Sequence, residues 1–69
     1  MKTLNLHGVK HQNVKVMVED FLFGNAMPVK IITGNSMQMK SIVTKILDEY
    51  NYHHMQLTDY NLGEYIIHD

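Results

Sequence analysis

Cysteine and arginine are both missing from this sequence of 69 residues. Without cysteine, the chain has no disulfide, no thiolate-ligated zinc and no thiol nucleophile. Its apolar runs, such as residues 21–23, are far shorter than the ~20 residues of a membrane span, and no signal-peptide pattern is present. These absences predict a soluble cytoplasmic protein that has no membrane partner.

The missing arginines restrict how the chain can bind nucleic acid. Six lysines are set against seven carboxylates, and the net charge is -1 with the five histidines neutral. Dedicated nucleic-acid binders are usually basic, and arginine is the side chain that best reads phosphate and guanine with two hydrogen bonds. Long-range attraction to a polyanion is therefore weak, so any such binding must come from locally placed groups.

The length of the chain permits a single domain over residues 1–69. A domain this small buries roughly 60% of the surface that its unfolded chain exposes. Because there is little room for a deep pocket, we expect a surface groove or ridge that recognises a larger partner.

Six segments of the chain have the periodicity of secondary structure. In chain order they are strand 3–8, helix 11–23, strand 29–33, helix 37–50, strand 53–60 and strand 64–68. Each helix has one apolar stripe, and the second stripe runs from Met39 to Tyr50. This pattern predicts an α/β two-layer sandwich of order β-α-β-α-β-β, with two helices on a four-stranded mixed sheet. The first two strands should be parallel neighbours, and the last two an antiparallel hairpin.

The third predicted strand contains two adjacent histidines, His53 and His54. Together with His68 and His11, they suggest a metal site at first sight. Neighbouring residues on a strand point to opposite faces, however, so the adjacent pair cannot readily share one ion, and no metal site is predicted. On the same strand, Met55 fits the apolar pattern and is expected in the core.

Two of the strands end in a polar residue followed by glycine. The first ends in His7 and Gly8, and the second in Thr33 and Gly34. If these strands are parallel neighbours, both endings lie at the same end of the sheet. The imidazole of His7 can act as a base or as a phosphate donor near neutral pH. We therefore predict that the functional site lies where these two strands end.

The second helix begins directly after the second of these strands. Asn35 or Ser36 can cap its exposed amides, and Asn35 with Gln38 has the spacing of a capping box. The amides and the helix dipole also attract phosphate. Capping and anion contact can hold at once, so this loop is predicted to do both.

The residues at the two strand ends resemble those of a known family. Leu-Asn-Leu-His-Gly at residues 4–8 resembles the Leu-Asp-Leu-His-Gly signature of the Smr (small MutS-related) domain. Ile-Ile-Thr-Gly-Asn-Ser at residues 31–36 resembles the Thr-Gly-x-Gly loop of that family, and Gly-Glu-Tyr-Ile-Ile at residues 63–67 is similar to its closing glycine and strand. The resemblance covers nearly the whole chain in the order that the family has.

This resemblance implies a fold similar to the C-terminal domain of a bacterial translation initiation factor. It also implies binding of structured RNA or DNA, in some branches at the ribosome, and endonucleolytic nicking or cleavage in several. Matched by motif, the implied catalytic residues are His7 and Asn5. The nucleic-acid contacts that the motifs and the nearby lysines predict are Gly8, Lys10, Lys30, Thr33, Gly34, Asn35 and Ser36.

The chain departs from the family pattern at two positions. Asn5 stands where the motif has aspartate, and Ser36 stands where it has its second glycine. An amide has no charge with which to hold a divalent cation or to orient a histidine as an anion. Ser36 is also expected to restrict the backbone of its loop. We therefore expect nucleic-acid binding with no cofactor, and a divalent metal ion only if the domain cleaves.

Two other functions are compatible with the sequence. The first is an active nicking endonuclease, in which Asp59, Glu64 or Asp69 replaces the missing carboxylate. The second is a small protein-interaction module on the same scaffold, which the near-zero net charge and the absent arginines favour. RNA, DNA, a ribosome and a protein are the candidate partners, and the sequence predicts no oligomeric state.

Overall fold

The computed structural model of the chain describes residues 1–56 and 63–69. In chain order its elements are β1 (Lys2–Asn5), α1 (His11–Gly24), β2 (Val29–Ile32), α2 (Met37–Glu49), β3 (His53–Gln56) and β4 (Glu64–His68). This order confirms the predicted β-α-β-α-β-β arrangement. Residues 57–60 of the predicted third strand lie outside the described residues.

The four strands form one mixed sheet in the order β1-β2-β4-β3. β1 and β2 are parallel, with Leu4 opposite Ile31 and Asn5 opposite Ile32. β4 runs antiparallel to both β2 and β3. The predicted mixed sheet is therefore confirmed, and the ends of β1 and β2 lie together at one end of it.

A hydrophobic core lies between the sheet and the two helices, as the apolar stripes predict. Its buried residues are Leu6, Val14, Val18, Leu22, Val29, Ile31, Met39, Val43, Ile46, Leu47, Tyr65 and Ile67. Tyr50 is the position where the predicted stripe is wrong, since its side chain is 40% exposed. Tyr50 follows the last residue of α2, and its hydroxyl donates a hydrogen bond to Glu19 of α1. This hydrogen bond raises the pKa of Tyr50 above its usual value.

Alternate residues of β2 point to opposite faces of the sheet, and the sequence did not indicate which of them face the helices. Ile31 is buried toward the helices, so Lys30 and Ile32 point to the opposite face. On β3, Met55 lies opposite Ile66 and is 58% exposed, so its expected place in the core is wrong. The pairing register with β4 causes this exposure. Met55 pairs with Ile66, whereas the β4 residues that point into the core are Tyr65 and Ile67.

An asparagine lies just beyond the end of each helix. The Asn25 side chain donates to the Phe21 carbonyl oxygen at 2.9 Å, just beyond α1. After α2, Asn51 adopts a φ of 61°, and the Tyr52 amide donates to the Leu47 carbonyl oxygen at 2.9 Å, which is the Schellman arrangement. Neither helix in the described part of the chain has the length and hydrophobicity of a transmembrane segment.

Candidate functional site

The ends of β1 and β2 lie side by side, as predicted. Beyond the last paired residues, the Leu6 amide donates to the Ile32 carbonyl oxygen at 2.9 Å and continues the parallel ladder. One residue further, the His7 ring lies against Gly34, since a Cβ placed on Gly34 would be 3.6 Å from His7 Nδ1. An imidazole and the loop that opens α2 therefore meet at this end of the sheet.

A tight turn after β1 positions His7. The predicted strand 3–8 ends at Asn5, because the chain turns where the Val9 amide donates to the Leu6 carbonyl oxygen at 3.0 Å. Gly8 has a φ of 79°, which the third position of such a turn requires and which side chains disfavour. The Asn5 side-chain oxygen accepts a hydrogen bond from the His7 backbone amide at 2.9 Å. Asn5 thus orients the backbone at His7, a task that needs an oxygen acceptor but no charge.

Thr33 fastens the second loop to the start of β4. Its amide donates to the Gly63 carbonyl oxygen at 2.6 Å, and its hydroxyl lies 3.1 Å from the same oxygen and 3.0 Å from the Gly34 carbonyl oxygen. The Thr33 residue is buried. Because its hydroxyl proton is used inside the protein, Thr33 positions the loop and is a poor direct donor to a ligand.

Gly63 is required by the close approach of two backbone segments. A Cβ on this residue would lie 2.4 Å from the Gly34 carbonyl oxygen, a distance that no side chain can adopt. The closing glycine of the resemblance therefore has a physical role here, which is to let β4 reach the loop that opens α2.

Ser36 is the N-cap of α2. Its hydroxyl oxygen accepts a hydrogen bond from the Met39 amide at 3.1 Å, so the expected capping box of Asn35 and Gln38 is not the cap that forms. The φ of Ser36 is -69°, an ordinary value that needs no glycine. Serine therefore adopts the conformation of this loop without strain, and its side chain satisfies an amide at the helix start.

These loops border an open groove of about 650 Å³. Residues 6–12 and 33–36 line it, together with Met39, and none of these lining residues is a carboxylate. Both helices begin at the groove, and neither has an acidic residue in its first turn. Lys10 precedes α1 without a side-chain capping bond, so the starting amides of that helix receive no side-chain oxygen from their N-cap. The groove therefore combines two positive helix ends with one lysine.

The structure brings together most of the predicted nucleic-acid contacts but not Lys30. Lys30 points to the face of the sheet opposite the helices, and its Nζ lies 3.5 Å from Glu64 Oε1 in an ion pair. Lys30 is not among the described lining residues of the groove, because β2 turns its odd-numbered residues toward the core and Lys30 toward the other face. Asn5 is not among the residues that line the groove. It supports the groove indirectly, because its side chain accepts a hydrogen bond from the His7 backbone amide.

Two polar residues that the sequence did not assign to the site also line the groove, namely His11 and Gln12. Both follow Lys10 at the first turn of α1. Their position could have been predicted from the sequence. A helix that starts three residues after the turn glycine Gly8 must place its first turn at the same end of the sheet as that turn.

The candidate replacement carboxylates are placed unfavourably where they are described. Asp69 follows His68, and the neighbouring Ile67 pairs with Val29 at the start of β2, so Asp69 lies at the opposite end of the sheet from the groove. Glu64 is paired with Lys30 on the far face. Asp59 lies outside the described residues.

Comparison of the chain with protein-family models, with curated proteins and with solved structures finds no match. The resemblance to the Smr domain therefore rests on the residues quoted for it. Within residues 1–56 and 63–69, no group of three or more histidines and carboxylates is arranged to hold a metal ion.

Proposed function

We propose that the chain is an Smr-like nucleic-acid-binding domain whose groove holds the phosphate backbone of structured RNA or DNA without cleaving it. The observation that carries this proposal is the packing of the His7 ring against Gly34 at the point where both helices begin. Structured RNA includes ribosomal RNA, so a ribosome is within the proposed range of partners.

The proposed phosphate contacts are made by the backbone and by two side chains. Among the described residues, the amides of Gly34 and Asn35 donate to no backbone carbonyl, so they are available to an anion. The His7 imidazole donates to a neighbouring phosphate oxygen, and Lys10 supplies a positive charge at the same groove. Helix starts bind phosphate through the same combination of amides and dipole.

Binding is favoured over cleavage by the chemistry of the groove. Among the residues that the structure describes, its lining contains no carboxylate that could hold a divalent cation or act as a general base. Asn5 keeps the hydrogen bond that orients His7 but has no charge. Asn5 therefore supports the turn at His7 from the position of the motif aspartate, but it cannot supply the negative charge of an aspartate.

The test measures binding of fluorescent stem-loop RNA and duplex DNA by anisotropy for the wild-type chain and the His7→Ala variant. A hydrogen bond to a charged group contributes about 1.5–3 kcal/mol, so the variant should bind roughly 10-fold to 100-fold more weakly. His68→Ala is the matched control, because it removes an exposed histidine at the opposite end of the sheet.

Unchanged binding by His7→Ala, or an equal loss in His68→Ala, would contradict the proposal. The same substrates, incubated with and without magnesium and analysed for strand breaks, separate binding from catalysis. Cleavage by the purified wild-type chain would replace the binding function with the nuclease alternative.

A further inference from the structure

Two histidines face each other on the sheet, well away from the groove. His53 of β3 and His68 of β4 are cross-strand partners, and both are exposed. Their ring centroids are 5.5 Å apart, and the ring planes differ by 21°. Met55, two residues along β3 and therefore on the same face, is also exposed, so this face is open to solvent.

We propose that His53 and His68 together bind one divalent late transition-metal ion, with Cu²⁺ as the best-fitting case. An imidazole bound at about 2.0–2.1 Å holds its centroid roughly 3.2 Å from the ion, so two such rings at a nitrogen–metal–nitrogen angle of about 90–180° have centroids about 4.5–6.4 Å apart. The observed 5.5 Å lies within this range. The last torsion of a histidine side chain is broad, so the rings can turn their nitrogens toward a common ion without moving the strands.

The other nearby histidine has a different environment. His54 points to the opposite face of β3, and its Nε2 lies 3.2 Å from Asp48 Oδ1. It is therefore excluded from the His53–His68 pair by strand alternation, as the sequence indicated. What the sequence did not indicate is that the register of β3 and β4 gives His53 a different partner.

The chemistry of the pair favours copper. Imidazole suits Cu²⁺, Ni²⁺ and Zn²⁺, and affinity for nitrogen ligands is greatest for Cu²⁺ in that series. With two protein ligands, water completes the coordination, which the exposure of both rings permits. The pair lies at the end of the sheet where β4 finishes, so metal binding here does not depend on the proposed nucleic-acid function.

The experiment titrates CuCl₂ into the full chain by calorimetry in a buffer that does not coordinate copper. We expect one ion per chain, with affinity reduced at least about tenfold in His53→Ala and in His68→Ala. His54→Ala is the matched control, since it removes the adjacent histidine from the other face, and its affinity should stay close to that of the wild type. Binding that survives either His53→Ala or His68→Ala, as it would at the α-amino group or in the groove, overturns the proposal.

A second measurement on the wild-type chain needs no variant. Cu²⁺ is paramagnetic, so substoichiometric addition should first broaden the ring-proton NMR signals of His53 and His68. Earlier broadening of His7 and His11, or of His54, overturns the proposal, because it shows that the ion prefers another site. Nucleic-acid binding should be unchanged in His53→Ala, so failure of the metal site and failure of the groove are distinguishable.

Discussion

Single residues decide how closely the two loops of the groove approach each other. Thr33 holds the Gly63 carbonyl oxygen through its amide and lies within reach of it through its hydroxyl. The backbone of Gly63 packs directly against the backbone of Gly34, and the His7 ring packs against Gly34 as well. The position of the imidazole relative to the start of α2 therefore depends on Thr33 and Gly63, which contact no ligand in the proposed function, and on Gly34, whose amide does.

We predict that Gly63→Ala lowers the free energy of unfolding by about 1–3 kcal/mol, because its Cβ would overlap the backbone at Gly34. Urea denaturation followed by circular dichroism measures the change. Gly24→Ala is the control, since a Cβ there meets no atom of the described residues within 4 Å, and it should leave stability unchanged or raise it by up to about 1 kcal/mol. Equal stability of the two variants would mean that the close approach is not maintained in solution.

At the scale of elements, α2 contributes to the groove through Met39 and through the loop of residues 33–36 that precedes it. Ser36 satisfies the Met39 amide with its side chain, and its carbonyl oxygen accepts from the Lys40 amide at 3.0 Å. The preceding amides of Gly34 and Asn35, which donate to no backbone carbonyl among the described residues, are the ones proposed to bind an anion. The serine that departs from the family pattern is thus the residue that stabilises the start of the helix.

We predict that Ser36→Ala lowers the free energy of unfolding by about 1 kcal/mol, because one amide of the first turn loses its acceptor. Ser36→Gly, which restores the residue of the family motif, should cost only roughly 0.3 kcal/mol. Thermal or urea unfolding measures both variants.

Ser41→Ala is the matched control for the cap, because Ser41 is exposed in the middle of α2 and should respond by less than about 0.5 kcal/mol. Alanine has a higher helix propensity than serine, so a loss as large in Ser41→Ala as in Ser36→Ala would contradict the assignment of the effect to the cap.

At the scale of the whole molecule, the low net charge limits the affinity that the proposed nucleic-acid binding can reach. At -1 with neutral histidines, the chain has no general attraction for a polyanion, so affinity must come from the few groups at the groove. Of the two predicted cationic contacts, Lys10 lies at the groove and Lys30 is paired with Glu64 on the far face. The number of phosphates that the protein neutralises should therefore be small.

We predict that the logarithm of the nucleic-acid binding constant falls with the logarithm of salt concentration with a slope of magnitude about 1–3. Lys10→Ala should reduce that slope by about 1, since one phosphate contact is lost, while its side chain makes no capping bond whose removal would disturb α1. Anisotropy titrations across a range of salt concentrations measure the slope.

Lys30→Ala is the control for charge alone, and its slope should equal that of the wild type. A slope near zero for the wild-type chain would favour the protein-interaction module over nucleic-acid binding. An equal reduction by both lysine variants would contradict the assignment of contacts to the groove.

The fold and the location of the candidate site were both predictable from local patterns. Two helical stripes and four short strands predicted the layers, and two strands ending in glycine predicted where His7 and Gly34 meet. The detailed membership of the site was less predictable. Lys30 could not be excluded from the groove because β2 has apolar residues on both alternations, and the cap stayed open between Asn35 and Ser36 because both side chains can accept an amide hydrogen bond.

The spacing of apolar residues and glycines was sufficient for the helices, the strands and the end of the sheet at which the loops gather, since these depend on neighbours within a few positions. Strand register was not contained in that spacing. It is selected by the burial of Tyr65 and Ile67 together with residues far away in the chain. Three features therefore depend on long-range packing alone, because each is set by which strands pair and in which register. They are the exposure of Met55, the pairing of His53 with His68, and the close contact between Gly63 and Gly34.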